Sequence, residues 1–325
     1  IKTLCSFLQI GRNMHGGNQT IISEFILLGL SNQAEQQKLI FVLFLCMYLV
    51  TVVGNGLIIL AISVDVHLHT PMYLFLANLS FADISSISSL VPKMLMNIQM
   101  KSQSISYGNC ITQMYFSIMS VVTENFLLGT MAYDRFVAIC HPLNYTTIMR
   151  PRLCILLAVI PWVLSNGIAL THTLLLIRLL FCNTNTLPHF FCDLATLLKL
   201  SCSDTTINEL VLFVVGLSVI TFPFALILFS YVCIIKAVLK ISSAEGKRKA
   251  FSTCGSHLTV VLLFYGTIVG VYFFPSSTHP EDTDKIGAVL ITLVTPMMNP
   301  FIYTLRNKDM KGALTKLINR KSSSL

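Results

Sequence analysis

The stretch LIFVLFLCMYLVTVVGNGLIILAISV, residues Leu39–Val64, contains no charged residue in 26 positions. A bilayer core of roughly 30 Å needs about 20 apolar residues in a helix that rises about 1.5 Å per residue. The stretch is therefore long enough to cross a membrane. The rest of the chain is similar in composition, since 54% of the 325 residues are hydrophobic and 11% are charged. Because an average soluble domain has about 25% charged residues, the composition argues against a soluble enzyme and a free nucleic-acid-binding protein.

Six more apolar stretches follow along the chain, each bounded by polar or charged residues. Asp83 and Glu124 are the only charged residues within them. Together the seven stretches predict an all-α membrane protein, namely a seven-transmembrane helix bundle. Their ranges are Leu39–Val64, Val66–Pro92, Ser102–Asn125 with a pattern that continues to Cys140, Leu153–Ile177, Leu210–Ile235, Ala250–Pro280 and Ile286–Leu305.

Lys and Arg residues near the span ends predict the orientation, because cytoplasmic loops carry an excess of these residues. The side that holds the C-terminal tail has 14 basic residues, and the side that holds the N-terminus has 8. We therefore expect an extracellular N-terminus and a cytoplasmic C-terminus. The net charge of +8 then belongs to a cytoplasmic face, which suits anionic lipid and an acidic protein partner better than nucleic acid.

We expect three regions. Residues 1–38 form an extracellular tail, of which residues 1–13 precede a natural start at Met14. Residues 39–305 form the bundle, and residues 306–325 form a cytoplasmic tail. A short amphipathic eighth helix in that tail has an apolar face that predicts a place at the membrane surface. This face consists of Met310, Leu314, Leu317 and Ile318.

Besides Cys5 in the N-terminal tail, four of the ten cysteines fall on the predicted outer side, where disulfides persist. From the sequence alone they allow three pairings. A zinc site with His189 is disfavoured, because the spacing lacks the usual close ligand pairs. Among three glycosylation sequons, only the one at Asn18 lies outside both the spans and the predicted cytosolic side. The four cysteines are Cys110, Cys182, Cys192 and Cys202.

Polar groups within the spans indicate function, because they are costly in hydrocarbon. Asp83 and Glu124 lie in the middle of the second and third spans, where Asn55 and Asn299 could converge on them. Such oxygen ligands suit a sodium ion or a shared proton. The alternative is a hydrogen-bonded structural cluster without an ion.

Ser256 and His257 raise the question of a hydrolase. Adjacent residues on a helix point about 100° apart and cannot form a nucleophile–base pair. We therefore expect His257 to form an interhelical hydrogen bond and the protein not to be an enzyme.

Seven motifs, in this order and at these spacings, resemble those of rhodopsin-like G-protein-coupled receptors, specifically vertebrate odorant receptors. The resemblance covers essentially residues 14–320. The motifs are Gly54-Asn55, LHTPMY at 68–73, LSFAD at 79–83, MAYDRFVAIC at 131–140, Ser230-Tyr231, KAFSTCGSH at 249–257 and PMMNPFIY at 296–303.

The resemblance implies disulfides Cys110–Cys192 and Cys182–Cys202. It also implies that Arg135 contacts a G protein and is held by Asp134 at rest. The sequence departs from the family at Phe136, where a tyrosine is usual, which could weaken coupling. Tyr265 stands as the candidate switch on the sixth helix. The full set implied for coupling and switching is Asp134, Arg135, Tyr231, His257, Asn299, Pro300 and Tyr303.

The pocket implied by the resemblance is apolar with a few hydroxyl groups. The outer half of the third span has no acid, which excludes a partner for an aminergic cation, and the seventh has no lysine for retinal. Small neutral hydrophobic ligands of micromolar or weaker affinity are expected. The implied pocket residues are Met114, Ser117, Ile118, Val121, Val122, Val215, Val219, Tyr265, Ile268, Val269, Tyr272 and Thr292.

The resulting hypothesis is an odorant receptor in the plasma membrane of sensory cilia. It would bind small volatile ligands, activate a heterotrimeric G protein of the stimulatory olfactory type and raise cyclic AMP. No cofactor is expected beyond the sodium ion. The alternatives are a non-signalling or weakly coupled relic, or a membrane transporter. The transporter is disfavoured because the chain shows no internal repeat and little intramembrane charge.

Overall fold

A computed structural model describes residues 23–30, 33–181, 185–273 and 280–322. Within these ranges the chain forms seven long helical elements and one shorter helix that follows them. They are α1 Ala34–Val64, α2 Pro71–Met100, α3 Tyr107–Cys140, α4 Pro151–Leu176, α5 Thr206–Leu239, α6 Ala244–Phe273, α7 and α8 Lys308–Ser322. α7 consists of Pro280–Val289, a π-helical turn Leu290–Val294 and Thr295–Arg306.

Shorter elements join the helices. 3₁₀ turns lie at Val66–Leu68 and Pro142–Asn144, and short helices at Tyr145–Ile148 and Leu194–Lys199.

Five described helices are long and apolar enough to cross a membrane by composition alone. α3 is less apolar because it carries buried polar residues, and it packs against α2, α4, α5 and α6 at the centre of the bundle. The apolar part of α6 covers Cys254–Gly270. These two helices complete the seven that the sequence predicts.

The helix boundaries follow from local chemistry. Pro71 and Pro151 begin α2 and α4, where the first turn needs no backbone donor. The hydroxyl of Ser106 accepts from the Asn109 amide and caps α3. Lys101 ends α2 in the left-handed conformation, with φ 52°. The predicted third span begins at residue 102, whereas the helix begins only at Tyr107 because a strand precedes it.

A three-stranded sheet covers the outer end of the bundle, which departs from a purely α-helical chain. β1 Glu24–Leu27 lies between β2 Ser104–Ser106, antiparallel to it, and β3 Thr186–Leu187, parallel to it. Phe25 and Leu27 point into an apolar cluster with Ile105 and Leu187. We call this sheet, with the loop around Cys192, the outer cap.

The main core takes buried residues from all seven helices. Buried Leu76, Leu127 and Phe264 represent it. Met310 and Ala313 of α8 pack against the same core, so the apolar face predicted for the eighth helix faces the bundle. The outer surface is apolar too, with exposed Phe213, Phe222 and Leu228 on α5 among many others. A surface of this kind is stable in lipid rather than in water.

One glycine makes the contact between α1 and α7 possible. A Cβ at Gly54 would lie 2.9 Å from both Cβ and Cγ of Pro300. Because such a distance is shorter than carbon atoms tolerate, only glycine allows the two helices to approach this closely.

Candidate ligand-binding and coupling sites

The end of α3 that is predicted to face the cytosol holds a restrained arginine. Asp134 is 1% exposed and Arg135 12%, and Arg135 Nε lies 3.9 Å from Asp134 Oδ2. The Tyr145 hydroxyl donates to Asp134 Oδ1 at 2.7 Å. Burial and the neighbouring carboxylate of Asp134 raise the pKa of Tyr145, which keeps that hydroxyl a donor. Arg135 Nε has no hydrogen-bond partner among the described residues. Among the described residues the arginine is therefore held by one long ion pair.

Two hydrogen bonds tie α6 to its neighbours near this end. His257 Nε2 lies 2.9 Å from the carbonyl of Leu128 on α3, and His257 Nδ1 lies 2.9 Å from the Tyr231 hydroxyl on α5. Because a carbonyl can only accept, Nε2 carries the proton and Nδ1 accepts from tyrosine. His257 thus forms the interhelical bond that the sequence predicts. Ser256 instead donates to the carbonyl of Ile302 on α7, so the two adjacent residues form no hydrolytic pair.

A cluster of buried oxygen atoms lies in the middle of the bundle. Asn299 Nδ2 donates to Asp83 Oδ2 at 2.8 Å, and Asn55 Nδ2 donates to the carbonyl of Pro296 at 3.2 Å. Asp83 also interacts electrostatically with Glu124. One oxygen of each of these four side chains has no hydrogen-bond partner among the described residues. These atoms are Asn55 Oδ1, Asp83 Oδ1, Glu124 Oε1 and Asn299 Oδ1.

A second junction joins α3, α5 and α6 further from the cytoplasmic end. The Tyr265 hydroxyl donates to Asn125 Oδ1, and Asn125 Nδ2 donates to the carbonyl of Val219 at 2.7 Å. The Tyr265 ring also packs on Phe224, with centroids 4.9 Å apart. Tyr265 therefore contacts both α3 and α5 at this level, as His257 does nearer the cytoplasmic end. Sequence reasoning missed Asn125, although its amide next to Glu124 on a buried helix was a usable signal.

The implied pocket residues occupy different environments. Ser117, Val122 and Thr292 are buried, and the Thr292 hydroxyl donates to the carbonyl of Ala288. Met114 is buried beneath the outer cap beside Cys110. The partly buried members are Ile118, which packs against the outer-cap cluster, Val121 and Ile268, which pack against the main core, and Val215 and Val219 of α5.

Two further members of the implied set stand apart. Val269 is 46% exposed, so the structure does not place it among the buried members of the set. The side chain of Tyr272 lies outside the described residues.

Remaining predicted coupling residues lie where α7 meets the bundle. Pro300 packs on Gly54, as described above, and Tyr303 is fully buried in the main core. The Tyr303 hydroxyl has no hydrogen-bond partner among the described residues.

The outer cap is joined to α3 by a disulfide and by an amide. Cys110 and Cys192 form the disulfide that the resemblance implies. Gln113, which sequence reasoning missed, accepts from the Cys192 amide at 2.9 Å and donates to the carbonyl of Ser89 at 3.0 Å. Cys202 is disulfide-bonded, but its expected partner Cys182 lies outside the described residues, as does Asn18.

His189 lies inside the outer cap. It is stacked on Phe190 and edge-on to Phe191, with ring centroids 4.8 Å and 4.5 Å away. Its Nδ1 has no hydrogen-bond partner among the described residues. Burial lowers the pKa of His189, which Asp193 opposes. The imidazole is therefore a neutral part of an aromatic cluster.

The fold defines a class of protein. A bundle of seven helices, with a restrained arginine at one end and a disulfide-linked cap at the other, is the architecture of a rhodopsin-like receptor. Squid rhodopsin superposes on 87% of this chain and 81% of its own, with a TM-score of 0.70 and 16% sequence identity. This likeness concerns the fold alone, and it confirms the predicted seven-helix bundle.

The family follows from closer relatives. The olfactory receptor family model matches residues 44–321. Human olfactory receptors 1S1 and 1S2 are 82% and 81% identical over all 325 residues, covering the whole of each chain. Mouse olfactory receptor 1M1 is 59% identical over 311 residues, which covers 96% of this chain and 99% of its own. The chain belongs to the olfactory receptor family, and the resemblance is confirmed. It is thus a multi-pass membrane receptor for odorants and not an enzyme.

Proposed function

We propose that this receptor binds small, neutral, hydrophobic volatile molecules in the outer half of the bundle and activates a stimulatory olfactory-type G protein. Cyclic AMP then rises. The observation that carries the proposal is the junction of Tyr265, Asn125 and the Val219 carbonyl. It includes two of the implied pocket residues, Tyr265 and Val219, and it contributes one of the contacts of α6 with α3 and α5.

The ligand chemistry follows from the side chains of α3. Residues 114–122 carry no charge, and their polar groups are a phenol and the hydroxyls of Ser117 and Ser120. A charged ligand would have to leave water without a counter-charge, which is costly. A neutral ligand of about 10 to 15 atoms at about −0.3 kcal/mol per atom gains about 3 to 4.5 kcal/mol, which corresponds to millimolar affinity. Twice that efficiency brings the affinity to roughly the micromolar range.

Signal transmission needs α6 to change its contacts. An agonist that competes for the Tyr265 hydroxyl frees α6 from Asn125. The bonds of His257 to Leu128 and Tyr231, and of Ser256 to Ile302, then hold the cytoplasmic half. The ligand shifts the equilibrium by its differential affinity for the two states.

The cytoplasmic end supplies the contact for the G protein. Release of Arg135 from Asp134 presents a guanidinium to the partner. Phe136 packs against Phe229 and His141, with centroids 6.0 Å and 5.5 Å away. The Phe136 ring thus packs among other aromatic rings. The absence of the hydroxyl that a tyrosine would have at this position does not disturb Arg135. This arrangement favours a signalling receptor over a non-signalling relic.

The oxygen cluster fits a sodium ion. Asp83, Glu124, Asn55 and Asn299 each offer an oxygen without a hydrogen-bond partner among the described residues. Hard oxygen donors with a net negative charge suit a small cation, and a proton shared by the two carboxyl groups is the other form of the same chemistry. Asp83, Glu124, Asn55 and Asn299 would hold the ion, which would offset the buried negative charge between α2, α3 and α7.

The orientation belongs to the same proposal. The basic excess puts the end with Arg135 and α8 in the cytosol and the outer cap with Asn18 outside. The receptor then works in the plasma membrane of sensory cilia, where volatile ligands arrive from outside.

Cyclic AMP in cells with surface-verified receptor and a stimulatory olfactory-type G protein tests the proposal. A panel of neutral volatiles is compared with amines and carboxylic acids. We expect responses to neutral volatiles that disappear in Arg135→Ala and persist in Arg152→Ala, an exposed arginine nearby. Surface-positive cells that stay silent to the whole panel, with no basal signal, would favour the non-signalling alternative.

A further inference from the structure

α7 contains a turn that is wider than a turn of α-helix. The π-helical turn Leu290–Val294 lies between the α-helical segments Pro280–Val289 and Thr295–Arg306. The Thr295 amide donates to the Leu290 carbonyl, five residues earlier, whereas an α-helical amide bonds to a carbonyl four residues earlier. The turn therefore holds one more residue than a turn of α-helix does.

The side chain of Thr295 makes the same unusual bond as its amide. Its hydroxyl donates to the Leu290 carbonyl at 3.0 Å, again five residues earlier. The hydroxyls of Thr292 and Thr304 on the same helix donate to carbonyls four residues earlier, as is usual for threonine in an α-helix. Thr295 is 2% exposed, so its bond is shielded from water. The Thr295 hydroxyl therefore stabilises the wide turn in particular.

The next residue, Pro296, fixes where the wide turn ends. Proline has no amide hydrogen, so Pro296 can continue neither the π-helical nor the α-helical pattern of backbone hydrogen bonds. The π-helical pattern therefore cannot extend beyond Thr295. This residue sets the register in which the second half of α7, Thr295–Arg306, begins.

The register decides which side chains of this second half point into the bundle. One residue of register corresponds to about 100° of rotation and about 1.5 Å of rise along a helix. In the π register Asn299 donates to Asp83 Oδ2 at 2.8 Å, and the Pro296 carbonyl accepts from Asn55 at 3.2 Å. A change to the α-helical register would turn Asn299 away from Asp83. The contact of α7 with the oxygen cluster therefore depends on the wide turn.

The same turn contacts the outer half of the bundle. Thr292 lies within it, is buried and belongs to the implied pocket set. Leu293 belongs to a buried apolar cluster that includes Phe190 and Phe191 of the outer cap. The turn therefore connects the outer cap and the implied pocket with the oxygen cluster along a single helix.

We propose that Thr295 is a positioning residue for signalling, because its hydroxyl holds α7 in the π register and thereby holds Asn299 on Asp83 at rest. An odorant that displaces Thr292 favours the α-helical register, in which Asn299 leaves Asp83. The role in signalling rests on the proposed function, whereas the link between Thr295 and Asp83 is independent of it.

Thermal unfolding of the purified full-length receptor tests the link to Asp83. Thr295→Val keeps the shape of the side chain and removes its hydroxyl, so we expect a lower unfolding temperature. In an Asn299→Ala chain the bond to Asp83 is already absent, and the same change should lower the unfolding temperature by less than half as much. Thr295→Ser keeps the hydroxyl and should unfold near the parent. Equal losses in both backgrounds, or no rescue by serine, would overturn the proposal.

Thr304→Val is the matched control, because it removes a hydroxyl that bonds four residues back on the same helix. Its effect on the unfolding temperature should be the same in both backgrounds. Amide hydrogen exchange of residues 290–299 gives a second measurement that needs no double variant. Thr295→Val should accelerate exchange there and Thr304→Val should not; equal acceleration by both would contradict a special role of Thr295.

Basal cyclic AMP, normalised to surface receptor, tests the role in signalling with the same single variants. We expect a rise of about fivefold in Thr295→Val, as for the loss of one buried hydrogen bond, and parental levels in Thr295→Ser and Thr304→Val. No rise in Thr295→Val, in a receptor whose parent responds to volatiles, would overturn the signalling role. A parent that is silent to every volatile would contradict the proposed function instead, and thermal unfolding would still decide the link to Asp83.

Discussion

Single hydrogen bonds hold α6 in its resting place. Tyr265→Phe keeps the ring on Phe224 but removes the donor to Asn125, so Asn125 Oδ1 is left unpaired. The loss of a buried hydrogen bond costs roughly 1 to 3 kcal/mol. Because this bond belongs to the resting arrangement, we expect basal cyclic AMP to rise about fivefold or more. A surface-normalised assay without odorant measures this.

Tyr115→Phe provides the matched control for that change. The Tyr115 hydroxyl donates to Asn166 Oδ1 at 2.6 Å, which joins α3 to α4 and does not touch α6. The same atom is lost, but basal signalling should stay at the parental level. An equal rise in both variants would show that the Tyr265 hydroxyl does not restrain α6.

His189 makes the outer cap sensitive to acid. Its pKa is lowered in the folded protein, so the unfolded chain binds more protons and stability rises with pH. The contribution of neutral His189 to the free energy of unfolding is complete well above the unfolded pKa of about 6.5. It is lost as the pH falls below that value. Asp193 and Asp284 oppose this loss, and Lys285 adds to it.

Hydrogen exchange of residues 186–194 checks this prediction at about pH 7.5 and about pH 5.5, after correction for the intrinsic exchange rate. Protection should fall at the lower pH in the parent chain. His189→Phe keeps an aromatic ring that cannot be protonated and should abolish the difference. A pH effect of equal size in both chains would rule out His189 as its source.

At the scale of elements, the contact between α1 and α7 depends on a missing side chain. Gly54→Ala places a methyl group 2.9 Å from Pro300, and such overpacking costs about 1 to 3 kcal/mol. Gly56→Ala, two residues away, meets nothing within 4 Å and should gain up to about 1 kcal/mol of helix propensity. Thermal unfolding of the two purified variants should therefore shift in opposite directions. Equal shifts would contradict the tight contact.

The elements show what sequence patterns can and cannot predict. The length of the apolar stretches predicted all seven spans, because any helix that crosses a bilayer must be apolar over that length. Because the helices are apolar on nearly all sides, the sequence did not show which face of each helix points into the bundle. Val269, which the resemblance implied as a pocket residue, is exposed. β1 was missed because four residues without a turn signal cannot be distinguished from a loop. β1 pairs with Thr186, which lies far along the chain, and a local sequence pattern cannot predict such a long-range contact.

At the scale of the whole molecule, we expect the oxygen cluster to make the packing of several helices depend on the cations in solution. If sodium binds with a Kd tenfold below its concentration, it stabilises the resting state by about 1.4 kcal/mol. We expect the purified receptor to unfold at a higher temperature in sodium chloride than in choline chloride of equal ionic strength. Asp83→Asn should remove most of that difference, and Glu124→Gln should reduce it.

A parent receptor that unfolds identically in both salts would leave the cluster as a hydrogen-bonded structural element. The residue types were visible in the sequence, but their convergence was not. Asn299 reaches Asp83 only because α7 approaches closely enough to pack on Gly54. The membrane fold was thus predictable from composition, whereas the sites depended on distances that the family resemblance and the structure supplied.

The position of β1 at the centre of the outer sheet has a consequence for biosynthesis. Ile26 pairs with Thr186, which the ribosome reaches 160 residues later. At about 5 to 20 residues per second, this takes roughly 8 to 30 s, during which the first four helices of the bundle are made. β1 can pair with β2 once Ser106 has been made, but its other edge has no partner until Thr186 and Leu187 follow. The outer cap can therefore close only after the first four helices of the bundle have been made.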